Sequence, residues 1–330
     1  MADPLRLVFM GSDPVAVPLL GWLAGEGRGV AELVGVVTGP DRPSGRGQDV
    51  GPNAVRAWAA GQSAAILQPE KLDAAALAAV SALRPDVALV VAYGQILRDD
   101  FIAVPRLGTL NLHASLLPRY RGASPIQSSV ASGDRETGMT LMRIVRELDA
   151  GPVADVERVS ISPLDTALEV EGRLAAAAIP LVARALPPLA RGGLVFQPQD
   201  AAGASFCRRL AKTDGVLDFS APAATLAARI NGLYPWPSVT VELAGVPVRL
   251  GLADSLGDDG AGAPGAVIGQ DPNGLLVATR SGTLRLLRLQ RPGGRMLAAP
   301  EFMRGFPISK GTVIASQAMP ELVSPRPFRR

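Results

Sequence analysis

Hydrophobic and polar positions along this chain follow two regimes that meet near residue 200. In the first, short apolar runs alternate with helical periodicity. Leu5-Arg6-Leu7-Val8-Phe9 predicts a strand running into Met10-Gly11-Ser12-Asp13. Pro14 then opens an amphipathic stretch with Val15, Leu19, Leu20 and Leu23 on one face, and proline suits a first helical turn. Leu33 to Thr38 and Ala64 to Leu67 predict buried strands, and Ala74 to Leu83 a helix ended by Pro85. A strand over Asp86 to Val91 leads into Ala92-Tyr93-Gly94 and a helical turn, and Thr109 to Leu112 supplies the next strand. Strands are predicted again over 137–142 and 153–159. A long helix is predicted over Asp165 to Leu186, with Asp165 near its N-cap and Pro187-Pro188 as its stop.

This alternation predicts an open, mostly parallel, Rossmann-like α/β sheet. Such sheets bind ligands beyond the carboxyl ends of their strands, where Gly11, Thr38, Tyr93 and His113 fall. Past about residue 209 the pattern changes. Short strands recur over 239–243, 246–250, 265–268, 275–279 and 284–289, separated by Gly, Asp and Pro. Their spacing predicts a small OB-like β-barrel. The expected organisation is a first domain over 1–192, a linker over 193–209 and a second domain over 210–330.

Composition narrows the chemistry. The single cysteine, Cys207, excludes an internal disulfide framework, and a single histidine makes a zinc centre unexpected. Metal-free chemistry is therefore expected. No uninterrupted apolar run approaches the roughly 20 residues of a membrane span, and Met-Ala-Asp-Pro leads into a strand without a signal-like segment. A soluble, cytoplasmic protein is expected. Residues 193–330 hold 15 Lys and Arg against 10 Asp and Glu, and so carry the positive excess of the chain. A weakly basic module suits a nucleic-acid or phosphate partner.

Candidate chemistry concentrates in Gly108 to Gly122, GTLNLHASLLPRYRG, which contains the only histidine, His113. Asn111 and His113 are two residues apart on a strand and share a face. Taken alone, that pattern favours a structural histidine at a strand end. Asp149, in a Gly-Pro-bounded turn between two strands, could reach the same sheet edge. A carboxylate beside an imidazole favours its protonated form and fixes its orientation, and an amide can donate to a developing oxyanion. The trio suits direct attack of an amine on a carbonyl. Ser115 is a possible nucleophile for a rival hydrolase, but no G-x-S-x-G elbow surrounds it. Gly39 to Pro52 is a long connection whose Arg42 and Arg46 suit an arm that meets phosphates. Neither a G-x-G-x-x-G turn nor a Walker loop follows the first strand, which disfavours a dinucleotide site.

The run N-L-H-A-S-L-L-P-R-Y-R-G-A-S-P-I-Q, together with Glu147-Leu148-Asp149-Ala150-Gly151-Pro152, resembles the signature of the 10-formyltetrahydrofolate-dependent formyltransferases. The resemblance implies that Asn111, His113 and Asp149 are catalytic. It also implies that the turn Ser115, Leu116, Leu117, Pro118 and the stretch Ala92, Tyr93, Gly94 hold the folate co-substrate. V-T-G-P-D-R-P-S-G-R-G is similar to an arm found in the branch that formylates methionine on initiator tRNA. R-R-L-A-K-T-D-G-V-L-D-F and N-G-L-Y-P-W-P-S resemble that branch's second domain. That resemblance implies initiator methionyl-tRNA as partner, Arg42, Arg46 and Lys212 as tRNA contacts, and a monomer. A formyltransferase acting on a nucleotide-sugar amine and a formyl-folate hydrolase are the alternatives, both of which generally lack the arm. Two features depart from the pattern. Gln48-Asp49 stands where a lysine pair is usual, and the tail Pro325 to Arg330 has no counterpart and is expected to be disordered.

Overall fold

The apolar runs of the first 160 residues become strands of one sheet. In the computed structural model, which describes residues 3–44, 49–257 and 262–328, strands and helices alternate. They are β1 (Leu5–Gly11), α1 (Val17–Ala24), β2 (Ala31–Val37), α2 (Ala54–Ala59), β3 (Ala65–Leu67), α3 (Ala74–Ala82), β4 (Val87–Val91) and α4 (Asp99–Ile102). There follow β5 (Thr109–His113), α5 (Pro125–Ala131), β6 (Glu136–Arg143), β7 (Val153–Ser160) and α6 (Ala167–Ala190). The sheet order is β7-β6-β5-β4-β1-β2-β3. The pairs from β3 through β5 are parallel, and β6 runs antiparallel to β5.

Strands β1 and β4 are almost wholly buried, as strands covered on both faces must be, which is why they read as unbroken apolar runs. Asp13 caps the turn ahead of α1 by accepting from the Val15 amide at 3.0 Å. Leu19, Leu20 and Leu23 of α1 are buried. The chain order reverses between β1 and β4, and a switch point of this kind is where open α/β sheets take their ligands, at the carboxyl ends of the strands.

Helix α6 departs from expectation at both ends. It starts after Thr166 rather than at Asp165. The Thr166 amide donates to Glu169 at 2.9 Å, and the Thr166 hydroxyl accepts from the Leu168 amide at 3.3 Å. This capping box outcompetes Asp165, whose carboxylate caps the Ser162 amide. Nor do Pro187 and Pro188 end the helix; it runs to Ala190. Proline holds a helical φ even as it removes a hydrogen bond, and the buried Leu186 and Leu189 keep this last turn packed. By length and composition α6 passes as a membrane span, but half of its apolar window is buried inside the protein.

The longer elements of the rest of the chain are α7 (Ala223–Leu233), β8 (Val239–Leu243), β9 (Val246–Leu256), β10 (Val267–Gln270), β11 (Leu275–Ala278), β12 (Thr283–Gln290) and α8 (Ala299–Gly305). With Leu297–Ala298 pairing on β12 these strands form a six-stranded antiparallel sheet, whose main path runs β8-β9-β12-β11-β10. The expected barrel is not closed, because β8 and β10 do not pair with one another among the described residues. The β10 edge is instead covered by residues 311–314, whose backbone bonds to Gly265 and Val267 at 2.8 Å. A covered edge cannot template pairing with another chain. Phe219, Leu226, Ile230, Leu250, Leu286, Leu289 and Phe302 fill the core beneath. Asn231 ties α7 to β9 through two 2.9 Å bonds to the Ala253 backbone.

The tail expected to be disordered is placed as far as Phe328. Val323–Ser324 pairs with Phe206–Cys207, Arg208 donates to the Glu321 carbonyl at 3.0 Å, and its guanidinium lies 5.9 Å from the Phe328 ring. The chain divides into two compact units. Met1–Arg121, Gly138–Val159 and Glu171–Ala204 form the first, and Gly122–Thr137, Ser160–Val170 and Ser205–Arg330 the second.

Candidate active site

Strand β5 shows why Asn111 and His113 share a face. Leu110 and Leu112 are buried on the other side, and on the site side Asn111 stands opposite Met142 and His113 opposite Thr140 of β6. Among the described residues none hydrogen-bonds to the Asn111 amide, which is half-buried. His113 is 6% exposed and gripped from both sides. Its Nε2 is 2.8 Å from the Tyr120 carbonyl. A carbonyl can only accept, so Nε2 is the protonated nitrogen. Its Nδ1 faces Asp149 Oδ2 at 3.8 Å. The fold thus brings together the histidine and carboxylate that lie 36 residues apart in sequence. Tyr120 and Asp149 both have positive φ, at +58° and +47°. Both partners of the imidazole therefore come from backbone that only a well-determined environment maintains.

The turn after β5 is built from its own hydrogen bonds. Ser115 is fully buried, and its hydroxyl donates to the Arg119 carbonyl at 2.6 Å. Thr140 of β6 donates to the Ser115 carbonyl at 2.6 Å and accepts from the Leu117 amide at 3.3 Å. With Ser115 engaged in shaping the turn, it is not arranged as a nucleophile. Leu116, Leu117 and Pro118 remain half-buried. A Cβ on Gly138 would come within 2.5 Å of both the Glu157 carbonyl oxygen and the Leu116 side chain, so β6 needs glycine there to lie against β7 and the turn.

Beyond β4, Ala92 (φ +46°) and Gly94 (φ +80°) turn the chain sharply. The Tyr93 ring lies in a cluster with Val8, Met10, Val37 and Phe101. Its buried hydroxyl has no partner among the described residues, and burial pushes the phenol up to about 12. The exposed apolar side chain of this stretch is Ile96, at 70%. The sequence reading missed it, although an isoleucine in a glycine-bounded loop at a strand's carboxyl end was the available signal.

The arm forms a hairpin, Arg42–Ser44 against Asp49–Gly51. Asn53 and Gln68 each donate to the Gly39 carbonyl at 3.0 Å and so fix its root. Arg42 lies 3.5 Å from Glu70, with both side chains largely in solvent. Arg46 and Gln48 fall outside the described residues. Lys212 is exposed on a turn of the second unit, next to the buried Asp214, which pairs with the half-buried Arg208 at 2.6 Å. Also missed was Gln199, while Arg121 stood in the central stretch only as one of its cations. Arg121 is buried and donates to Gln199, a residue from the segment read as linker. Nothing in its local sequence marks Gln199. Among the described residues no group of three His, Cys, Asp or Glu could hold a metal ion.

Fold and site together define a class. It combines an open α/β sheet carrying an Asn, His and carboxylate set at the end of a central strand with a separate antiparallel β unit. Two models of this class match in tandem, Formyl transferase over residues 6–186 and Formyl transferase, C-terminal domain over residues 209–307. The chain belongs to the formyl transferase family. The methionyl-tRNA formyltransferase of Aromatoleum aromaticum is 39% identical over 311 residues, covering 94% of this chain and 97% of the relative. That of a Methylobacterium species is 42% identical over 314 residues, with 94% and 99% covered. Among solved structures, HypX from Aquifex aeolicus in complex with tetrahydrofolic acid shares the fold, with a TM-score of 0.60 at 15% identity. The match covers 96% of this chain and spans about half, 51%, of that one.

Proposed function

We propose that this protein transfers the formyl group of 10-formyltetrahydrofolate to the free amine of methionine on initiator methionyl-tRNA. The observation that carries this reading is the extent of the similarity. Relatives bearing that activity in their names align over 94% of the chain, through both the catalytic stretch and the second unit.

The residues present fit the folate co-substrate. Leu116, Leu117 and Pro118 on a rigid turn, the backbone of Ala92 to Gly94 and the exposed Ile96 offer an apolar wall. Tyr93 supports that wall from the core. The Asn111 amide is available to a ligand. Bound 10-formyltetrahydrofolate supplies the formyl carbon that the methionyl amine attacks; the bond from that carbon to folate N10 then breaks, and tetrahydrofolate leaves with a proton on N10. Asn111 donates to the oxyanion that develops there, and so does the Nδ1–H of protonated His113, because its Nε2–H is held by the Tyr120 carbonyl; donors of this kind dominate many acyl transfers. Asp149 orients the imidazole through Nδ1 and takes the amine's proton. Tyr120 fixes the other ring nitrogen. Residues 1–192 hold this chemistry, 193–209 join the domains, and 210–330 form the tRNA-binding domain. Arg42, Arg46 and Lys212 contact the tRNA. The enzyme acts as a cytoplasmic monomer without a membrane partner; resemblance supports this.

A formyl-transfer assay offering charged initiator tRNA, a nucleotide-sugar amine and water as acceptors tests the reading. Formylmethionyl-tRNA should be the dominant product. Faster transfer to the sugar amine or to water would replace the proposal with one of its alternatives.

A further inference from the structure

Little apolar burial holds the loop that carries Asp149. Between β6 and β7, residues 145–148 are all exposed, Val145 and Leu148 among them. Asp149 sits at φ +47°, a left-handed conformation disfavoured for a residue with a Cβ. It persists where surroundings over-determine it, and here they do so through Gln199. Gln199 Nε2 donates to the Asp149 carbonyl at 2.8 Å and to the Gly151 carbonyl at 2.7 Å. Gln199 Oε1 accepts from Arg121 Nε at 3.2 Å and Nη2 at 2.8 Å. Both amide hydrogens and the amide oxygen are engaged, so only one orientation of the carboxamide satisfies the site. The far end of the loop has no freedom either, since a Cβ on Gly151 would fall 1.8 Å from the Arg143 carbonyl.

Arg121 directly follows Tyr120, the residue whose carbonyl takes Nε2 of His113. Residue 120 therefore holds one ring nitrogen through its backbone. Residue 121, buried to all but 5% of its side chain, acts through Gln199 on the loop that presents Asp149 to the other nitrogen. We propose that Gln199 is a positioning residue of the formyl-transfer centre, bolting the Asp149 backbone to Arg121 so that the carboxylate meets His113. The inference rests on the catalytic reading of Asp149 above. It gives the segment read as linker a part in the chemistry, since misplacing a catalytic group by about 1 Å can cost on the order of 10²-fold.

The test uses the full chain with 10-formyltetrahydrofolate and charged initiator tRNA. Gln199→Glu keeps an acceptor for Arg121 but sets a carboxylate oxygen against two carbonyls. Gln199→Met fills the space with no donor. Each should lower kcat by about ten- to a hundredfold and leave both KM values within about threefold, a split that general loosening of the fold would not produce. In an Asp149→Ala background neither should cost anything further, because residues acting through one group are not additive. Gln199→Glu retains its partner in Arg121, so it should still fold with a single cooperative melting transition and keep the test valid if Gln199→Met fails to fold. Wild-type kcat in the Gln199 variants, or additive losses in the double variants, would overturn the inference alone. Wild-type kcat in Asp149→Ala would instead remove the catalytic reading on which it rests.

Discussion

Arg121 and Arg42 each lie near a glutamate, at 3.7 Å from Glu147 and 3.5 Å from Glu70, yet they occupy opposite regimes. The Arg121 side chain is 5% exposed and fixed by a carboxamide in turn fixed by two carbonyls. Arg42 is 70% exposed on a hairpin. A surface pair of that kind contributes at most about 1 kcal/mol, so Arg42 can exchange Glu70 for a phosphate at little cost. A buried guanidinium cannot exchange partners so cheaply, because its donors would go unsatisfied. The same side chain thus serves as a rigid strut in one place and an exchangeable charge in the other. The candidate catalytic centre is built on the first kind, and the arm on the second.

The largest test of this contrast lies at the buried centre. His113→Ala, Asn111→Ala and Asp149→Ala should each lower kcat on the order of 10²–10³-fold, with much smaller changes in folate affinity measured by equilibrium titration. Near-normal turnover in Asp149→Asn would remove Asp149 as proton acceptor.

The exposed side should respond more weakly, and in a different quantity. Arg42→Ala and Lys212→Ala should raise KM for tRNA a few-fold and reduce the slope of log affinity against log salt by about 1 each. Melting temperature should not move, since no buried contact is lost. An unaltered KM and salt slope would make the arm a plain solvated loop.

The smallest effect concerns a buried group with no charge at neutral pH. The folded-state pKa of Tyr93 is raised to about 12 by burial, so between pH 10 and 12 the unfolded chain loses a proton that the folded chain keeps. Its contribution to stability is therefore complete below pH 10 and is lost as pH rises toward 12. Tyr93→Phe should blunt that alkaline loss in melts at graded pH and leave KM for folate within about twofold. A large rise in KM would move the phenol from core support to direct folate contact.

Local signals carried much of the architecture into view. The strands of both units follow their apolar runs, and β8 begins and ends where its alternation does. Where expectation and structure part, a longer-range contact decides. Buried leucines carry α6 past two prolines, a capping box displaces Asp165, and the 311–314 segment covers the sheet edge that a closed barrel would have paired. The Ser115 hydroxyl read like any candidate nucleophile until its acceptor, the Arg119 carbonyl, was placed.

By itself the sequence determined which residue types could do chemistry here. One histidine, an asparagine two positions before it and one well-placed aspartate leave few assignments, and period-two geometry puts the first pair on one face whatever the surroundings. Only the tertiary structure decided how His113 meets Asp149, and what holds the carboxylate there. Gln199 is 50 residues beyond Asp149 in the chain. Its role depends on two carbonyls and a guanidinium converging on one carboxamide, a matter of packing that leaves no periodic trace in sequence.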